Sequence, residues 1–183
     1  MPDFVERKAN SPTPAGELVR ILTARGKMIA IAESCTAGLA ADMIARFPGA
    51  SKVLWGSFVT YTSDAKTKML GVPKRLIETH GAVSREVAVA MAEGALERSG
   101  ASWAVSITGL AGPGGEGAPV GTVWIGIAGL WAGPSAGLWA GISRSETKSF
   151  LFKGSRNEVG AAAAVAALKG LLDRILTAEE ILV

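Results

Sequence analysis

The chain passes from strand to helix within residues 28–39, which read Met28-Ile29-Ala30-Ile31-Ala32-Glu33-Ser34-Cys35-Thr36-Ala37-Gly38-Leu39. The first four residues form a short apolar run typical of a buried strand, and apolar residues then recur at helical spacing until Pro48-Gly49. We therefore predict a strand over 28–33 and a helix over 37–47. This places Ser34 at the carboxyl edge of a sheet and beside a helix N-terminus, where free backbone N–H groups favour developing negative charge. A serine nucleophile would suit that place, although Ser and Thr are also ordinary helix caps.

The rest of the chain alternates helical and extended patterns around this junction. Helical patterns cover 14–24, 84–99 and 155–177, and strand patterns cover 53–61, 103–107, 120–129 and 138–152. After the leading helix, the order βαβαβββα predicts an α/β fold, a three-layer α/β/α sandwich with a mixed, mostly parallel five-stranded sheet. Active sites of such folds lie at the carboxyl ends of parallel strands. The polar or glycine-rich loops after the first three strands are therefore the candidate site.

Composition limits the classes of protein to which the chain can belong. With 183 residues, of which 49% are hydrophobic and 19% charged, it is long enough for one domain with a sizeable core. We expect that domain to span residues 13–183, after a loosely ordered polar tail at 1–12. The net charge of +3 comes without a Lys/Arg-rich run or an aromatic and basic stripe, so no nucleic-acid partner is expected. The mildly basic balance weakly favours a phosphorylated small molecule.

The N-terminal residues, the lone cysteine and one long uncharged stretch predict the cellular location and the assembly of the protein. Residues 1–8 lack the apolar core of a signal peptide, and the lone cysteine suggests a reducing compartment, so we expect a cytoplasmic protein. Residues 117–143 carry no charge, but their glycines and a Gly-Pro-Ser break predict two strands and a turn rather than a membrane-spanning helix. Trp131 and Trp139 lie in this uncharged hairpin, which predicts a homo-oligomer, with a dimer as the expected form. Burial of these rings within the monomer is the alternative.

The single cysteine and the single histidine bear on the chemistry. Cys35 competes with Ser34 as a nucleophile because a thiol is intrinsically better than a hydroxyl, but a lone Cys after a buried strand is also typical of a small apolar filler. A Ser-His-Asp triad would need His80, which falls in an expected turn before the helix that Ser84 caps, and we interpret it as a loop residue. The sequence contains no Cys/His cluster or close carboxylate array, so neither a metal site nor a cofactor is predicted.

Six ordered stretches carry a family resemblance. They are Ala32-Glu33-Ser34-Cys35-Thr36-Ala37-Gly38-Leu39, Tyr61-Thr62-Ser63-Asp64-Ala65-Lys66, Leu70-Gly71-Val72, Gly81-Ala82-Val83-Ser84, Ser106-Ile107-Thr108-Gly109-Leu110-Ala111-Gly112-Pro113-Gly114-Gly115 and Pro119-Val120-Gly121-Thr122-Val123. In this order and spacing, over about 14–176, the chain resembles the C-terminal domain family of the competence/damage-inducible protein CinA. That family includes PncC-like nicotinamide mononucleotide amidases.

The resemblance implies hydrolysis of the carboxamide of nicotinamide mononucleotide, giving nicotinate mononucleotide and ammonia in pyridine-nucleotide salvage. It also implies Ser34 as the nucleophile and Lys66 as its base, with Tyr61 assisting. The residue chemistry is compatible, because a neutral lysine can activate a hydroxyl. Its pKa would have to fall by roughly 3 units from ~10.4, which burial and nearby positive charge can supply. Without the resemblance, a solvated lysine and a strand-end aromatic are the simpler interpretation.

The glycine-rich loop after the third predicted strand is the second informative element. Its small residues let backbone N–H groups approach an anion. The resemblance implies that it lines the nucleotide pocket, with Thr108 and Gly109 closest and Gly112 also in the substrate site. Arg156, at the start of the last helix, could hold the phosphate, or it is an exposed first-turn arginine.

Three residues around Ser34 complete the predicted substrate site. Thr36 is expected to cap the helix, with a second role beside the oxyanion left open. Glu33 either holds the loop or contacts the substrate. Cys35, if it is not the nucleophile, lines the pocket between them.

The chain departs from the family pattern in three places. Members commonly have Gly-Gly where this chain has Ala37-Gly38, a mild change if the backbone there is ordinary helix. They often have Gly-Asp-Arg at Gly154-Ser155-Arg156 and another Arg near Gly160, which weakens a phosphate role for this end. Full-length members also carry an N-terminal domain associated with pyrophosphatase chemistry, which has no counterpart here, so no ADP-ribose hydrolysis is expected.

These departures keep two other functions open. The first alternative is a non-catalytic nucleotide-binding or accessory module linked to competence or the DNA-damage response. The second is an esterase or amidase for unrelated substrates, which would act without needing a 5′-phosphate.

Overall fold

The computed structural model describes residues 13–112, 117–130 and 143–180. Its α-helices are Pro14–Arg25 (α1), Leu39–Ala45 (α2), Ser63–Leu70 (α3), Lys74–His80 (α4), Arg85–Ser99 (α5) and Arg156–Glu180 (α6). Its strands are Ile29–Glu33 (β1), Leu54–Val59 (β2), Trp103–Gly109 (β3), Thr122–Leu130 (β4) and Ser143–Leu151 (β5). A short 3-10 helix, Ala50–Lys52, precedes β2.

The strands form one mixed sheet in the order β2-β1-β3-β4-β5. The central β1 pairs in parallel with β2 and with β3, whereas β4 runs antiparallel to both β3 and β5. Four of the five strands therefore run in the same direction. This confirms the predicted mixed, mostly parallel sheet, and it brings the ends of β1, β2 and β3 to one edge.

Helices cover both faces of the sheet because β1 is apolar on both sides. Ile29 and Ile31 pack with α1, α2 and α6, whereas Ala30 and Ala32 pack with α5 and with residues of α3 and its C-terminal turn. The helices α3 and α4 pack against α5. The three-layer α/β/α arrangement is confirmed, and a strand that is buried on both faces holds the residue after it firmly in place.

Two local predictions were wrong. The helix predicted over 37–47 begins two residues later and ends at Ala45. The sequence pattern predicts no helix within residues 62–80, yet this segment contains α3 and α4, and His80 is the last residue of α4 instead of part of a turn. Its Nδ1 lies 3.7 Å from the carboxylate of the half-buried Glu86.

The predicted tail at 1–12 and the tryptophan hairpin at 131–142 lie outside the described residues. Within the described ranges, no helix combines the length and the hydropathy that a membrane span requires.

Candidate active site

Ser34 directly follows β1, and its position is fixed by the sheet. Its N–H donates to the carbonyl of Ile107 at 2.9 Å, which extends the parallel pairing of β1 and β3 by one residue. Only 7% of Ser34 is exposed. The predicted place of Ser34 at the carboxyl edge of the sheet is what the structure shows, although the helix predicted beside it begins only at Leu39.

Lys66 approaches Ser34 from α3, the helix that follows β2. Its Nζ lies 2.9 Å from Ser34 Oγ and 2.9 Å from the carbonyl oxygen of Thr60, and it donates to both. The residue is 1% exposed, and no carboxylate in the described ranges forms an ion pair with it. A buried amine thus bridges a hydroxyl and a backbone carbonyl.

The burial of Lys66 changes its acidity. Loss of hydration lowers the pKa of this amine from 10.5 to about 8, because the charged form loses more solvation than the neutral form. At pH 7 about a tenth of the molecules then carry a neutral amine, which can accept a hydroxyl proton. The direction agrees with the one that the sequence argument required, and burial is sufficient without a neighbouring cation.

Both ends of α3 are held in place, which fixes Lys66. The Thr62 hydroxyl accepts the Ala65 N–H at 3.1 Å, so it caps the N-terminus of the helix. At the other end, α5 has a glycine, Gly94, where any side chain would collide with the Leu70 carbonyl. Neither Thr60 nor Gly94 was identified from the sequence, because a carbonyl acceptor and a close backbone approach leave no motif.

Glu33 is fully buried and saturated with donors. One carboxylate oxygen accepts the N–H groups of Gly38 and Ala40, at 3.0 and 3.1 Å. The other accepts the Ala41 N–H and the Ser57 hydroxyl, both at 3.1 Å. Of the two roles left open for Glu33, these contacts match holding the loop.

This arrangement corrects the predicted source of anion stabilisation. The Glu33 carboxylate occupies the N–H groups at the start of α2, so they are not available to a substrate oxyanion. In the loop itself, the N–H groups of Cys35 and Thr36 donate to no carbonyl or carboxylate of the described residues. Between Ser34 and α2, these two groups are therefore the backbone donors left for an oxyanion.

The loop between Ser34 and α2 is not helical. The Ala37 N–H returns to the Ser34 carbonyl at 3.1 Å, and Ala37 has a φ of 50°. Gly38 follows with a φ of 101°. The departure from Gly-Gly therefore falls on a left-handed residue, where a Cβ costs roughly 1–2 kcal/mol. The change from Gly to Ala would be mild in an ordinary helical backbone, but Ala37 does not have one.

Thr36 does not cap α2, contrary to the prediction. The N-cap position belongs to Gly38, and Glu33 supplies the capping oxygens. Thr36 is 6% exposed, and its hydroxyl is buried without a hydrogen-bond partner among the residues that the structure describes. A polar group in that state is uncommon in folded proteins and calls for a physical reason.

Cys35 has the environment of a packing residue. Burial raises the pKa of its thiol to about 11, so the thiolate is scarce near neutral pH. Its Sγ packs against Gly109, where an added Cβ would lie 3.1 Å from the sulfur and 2.7 Å from Val123 Cγ2. These contacts favour the filler interpretation over the competing nucleophile, and they explain why Gly109 lacks a side chain.

The glycine-rich loop contributes backbone more than side chains to the site. The hydroxyl of Thr108 is committed to the carbonyl of Ala82 at 2.8 Å, on the side of α5. Gly112 has a φ of 97°, and its carbonyl accepts a hydrogen bond from Arg156 Nη2. Residues 113–116 lie outside the described ranges.

Tyr61 and Arg156 form the exposed side of the site, which we call its mouth. Arg156 joins two loops there. Besides Gly112, its guanidinium donates through Nη1 to the Tyr61 hydroxyl at 3.2 Å. Tyr61 is 57% exposed, and its hydroxyl bonds to neither Ser34 nor Lys66. The arginine begins α6, where Ser155 and Glu158 form a capping box, with the Ser155 N–H and hydroxyl each 2.7 Å from the Glu158 carboxylate.

The fold and this site define a class, an α/β/α protein with a buried serine–lysine pair at the carboxyl edge of its parallel strands. The CinA C-terminal domain family matches residues 12–175. The chain belongs to that family.

Relatives and solved structures agree with this assignment. A putative competence-damage inducible protein from Symbiobacterium thermophilum is 53% identical over 112 residues, 60% of this chain and 26% of that protein. A CinA-like protein from Mycobacterium avium is 45% identical over 167 residues, 88% of this chain and 37% of its own length. The chain thus spans between a quarter and two fifths of the length of these curated relatives.

Two crystal structures share the fold over nearly their whole length. The competence damage-inducible protein A from Klebsiella pneumoniae superposes with a TM-score of 0.79 at 33% identity, covering 89% of this chain and 95% of that one. The competence/damage inducible protein from Agrobacterium tumefaciens gives 0.74 at 36% identity, with 91% and 93% covered.

Proposed function

We propose that this protein is a metal-independent amidohydrolase that converts nicotinamide mononucleotide to nicotinate mononucleotide and ammonia. The observation that carries the proposal is the buried contact between Lys66 Nζ and Ser34 Oγ, 2.9 Å apart. A lysine with a pKa of about 8 can take a proton near neutral pH, and a hydroxyl beside it becomes a nucleophile. The substrate is proposed from the family resemblance and from the arginine at the mouth of the site.

In the acylation step, Lys66 first accepts a proton and then donates it. Neutral Lys66 accepts the Ser34 proton while Oγ forms a bond to the carboxamide carbon, and the carbonyl electron pair moves to oxygen. The lysine ammonium then gives its proton to the amide nitrogen, the C–N bond breaks, and ammonia leaves. An ester between Ser34 and the nicotinoyl group remains, and Lys66 is neutral again.

Deacylation repeats the same transfers with water. Lys66 takes a proton from the water molecule that attacks the ester carbon, and collapse of the intermediate breaks the bond to Ser34 Oγ. The lysine returns its proton to that oxygen, and the nicotinic acid group ionises to solvent as it leaves. The Thr60 carbonyl holds Nζ throughout, because it accepts a hydrogen bond from the amine in either protonation state.

Arg156 is the residue we propose for the 5′-phosphate. Its guanidinium lies at the mouth, and Gly112 and Tyr61 orient it from two different loops. Charge-assisted hydrogen bonds from arginine to phosphate are among the strong ones. We propose that Tyr61 assists by orienting this arginine for substrate binding, since its hydroxyl contacts the guanidinium.

Ammonia release by the pure protein tests the proposal, with Ser34→Ala and Lys66→Ala as the test variants. Lys68→Ala is the matched control, because Lys68 lies on the same helix but is exposed and paired with Asp64. We expect both site variants to lose at least ~10³-fold in kcat and the control to match the wild type. Equal rates in all four proteins would remove the proposed nucleophile and base.

The choice of substrates in the same assay separates the amidases. Nicotinamide mononucleotide, nicotinamide riboside and nicotinamide differ only by the phosphate and the ribose. A requirement for the phosphate supports the nucleotide as substrate, whereas equal rates on all three favour an amidase for unrelated substrates.

The second candidate is a nucleotide-binding or accessory module linked to competence or DNA damage. The names of the relatives and the departures at Ser155 and Gly160 favour it. Calorimetry that shows nucleotide binding without product would support this module, and efficient turnover would exclude it as the whole account. A cytoplasmic location and self-association remain predictions, and a monomer in light scattering at micromolar concentration would contradict the second.

A further inference from the structure

Thr36 has a buried hydroxyl that finds no partner among the described residues. The residue is 6% exposed, and in the described ranges only one other side-chain oxygen, that of Thr67, is buried and unpaired in the same way. Burying a hydroxyl without a hydrogen bond destabilises a protein. A ligand that supplies the missing partner would explain why the hydroxyl is retained.

The position of Thr36 connects that hydroxyl with the reacting group. The Ala37 N–H donates to the Ser34 carbonyl, so residues 34–37 form a tight turn in which Thr36 is the third residue. Thr36 is therefore held within one turn of the proposed nucleophile.

The neighbouring donors show what the loop lacks. Glu33 takes the N–H groups of Gly38, Ala40 and Ala41, so the start of α2 offers nothing to an anion. The donors left in the loop are the N–H groups of Cys35 and Thr36 and the Thr36 hydroxyl. A tetrahedral oxyanion needs donors that are already in place before the reaction.

We propose that the Thr36 hydroxyl donates a hydrogen bond to the carboxamide oxygen as that oxygen becomes negatively charged, beside the free N–H groups of Cys35 and Thr36. This rests on the proposed amidase function. Thr36 then stabilises the transition state more than the bound substrate, and its free hydroxyl is a cost that the unliganded fold carries.

The proposal predicts opposite effects of one substitution on stability and on activity. Thr36→Val keeps the shape of the side chain and removes the hydroxyl. We expect Tm to rise by about 2–4 °C, while kcat falls about 10²- to 10³-fold and KM changes less than about threefold. Thr36→Ser restores a hydroxyl and should recover most of the lost turnover.

Thr67→Val is the matched control, because it removes the other unpaired hydroxyl, on α3 next to Lys66. It should raise Tm in the same way and leave kcat unchanged. The pH dependence of kcat/KM should be the same in Thr36→Val and the wild type, since the lysine is untouched; a shifted profile would mean that the substitution disturbs the Ser34–Lys66 pair, and the proposal would fail.

Every outcome of the measurement decides the proposal. An active wild type with an equally active Thr36→Val variant overturns the Thr36 role and leaves the amidase function standing. A lower Tm in Thr36→Val shows that the hydroxyl has a partner within the fold, which also overturns it. A wild type that releases no ammonia from any of the three substrates overturns both proposals together.

Discussion

The floor and the mouth of the site are built differently. At the floor, Ser34, Thr60 and Lys66 are buried, and their contacts follow from the register of paired strands and from a capped helix. At the mouth, Tyr61 and Arg156 are exposed and meet through long side chains that lie 95 residues apart in the sequence.

This difference separates chemistry from recognition. Burial is what lowers the pKa of Lys66, so the proton-transfer step depends on the floor staying dry. Exposed charges are screened by solvent, so the mouth can change in sequence at small cost to the fold. The departure from the family pattern at Ser155 lies beside Arg156 at the mouth, whereas Gly160 is buried, and a Cβ there would lie 3.7 Å from the Cys35 carbonyl oxygen. Both departures leave Ser34 and Lys66 unchanged.

The largest expected effect separates a base from a simple donor at the floor. Lys66→Arg keeps a cation and hydrogen-bond donors, but a guanidinium is not deprotonated in proteins. We expect kcat to fall by at least ~10³-fold, with Lys68→Arg as the control on the same helix. Ammonia release measured at pH 8 checks this, and substantial activity in Lys66→Arg would mean that the residue acts only through its charge.

A second prediction concerns the effect of the buried Lys66 charge on the stability of the folded protein. Because the pKa of Lys66 is depressed from 10.5 to about 8, the unfolded chain binds more protons than the folded protein between these values. The buried charge therefore destabilises the fold below about pH 8, and this cost disappears as pH rises to 10.5.

Lys66→Met removes that titration. Between pH 8 and pH 10.5, we expect the free energy of unfolding of the wild type to rise by about 3 kcal/mol relative to that of the variant. Urea unfolding of both proteins across this range measures the difference. A constant gap would show that the amine is hydrated in the folded protein.

A third prediction tests recognition at the mouth. Arg156→Ala should raise KM for nicotinamide mononucleotide by about 10- to 100-fold and change kcat little, and it should not affect the riboside, which lacks the phosphate. Arg98→Ala, an arginine on α5, is the control. Equal losses on both substrates would place the phosphate elsewhere.

Tyr61→Phe sharpens the same boundary on a smaller scale. Since the hydroxyl contacts Arg156 and not the Ser34–Lys66 pair, we expect a rise of a few-fold in KM with kcat nearly unchanged. Steady-state kinetics on the nucleotide give the split. If turnover instead slowed by about 10²-fold or more, the size typical of a lost proton-transfer group, Tyr61 would belong to the floor and not to the mouth.

The smallest expected effect lies in the loop that connects the two regions. Ala37 has a left-handed backbone, so Ala37→Gly should stabilise the protein by about 1 kcal/mol. Thermal unfolding checks this, with Ala41→Gly, inside α2, expected to destabilise by a similar amount. Lower stability in Ala37→Gly would mean that the alanine is not strained.

The sequence predicted the floor of the site better than its mouth. The apolar run before Ser34 and the order of elements were sufficient for the sheet and for the place of the serine. Lys66 was found only through the family resemblance, because the polar segment that forms α3 has too weak a hydrophobic pattern to predict a helix.

The errors in the loop have one physical origin. A carboxylate at the end of a fully buried strand needs partners, and Glu33 finds them at the start of α2. This displaces Thr36 from the capping role that its residue type suggested. The contact of Arg156 with Tyr61 could not be predicted from the sequence, because no local pattern links residues so distant along the chain.

The most direct test of the central claim is the pH dependence of kcat/KM for nicotinamide mononucleotide between pH 6 and pH 10. If neutral Lys66 deprotonates Ser34, kcat/KM should rise with pH and level off with an apparent pKa near 8, the value that burial gives the free amine. A profile that is flat from pH 6 upward would contradict the claim.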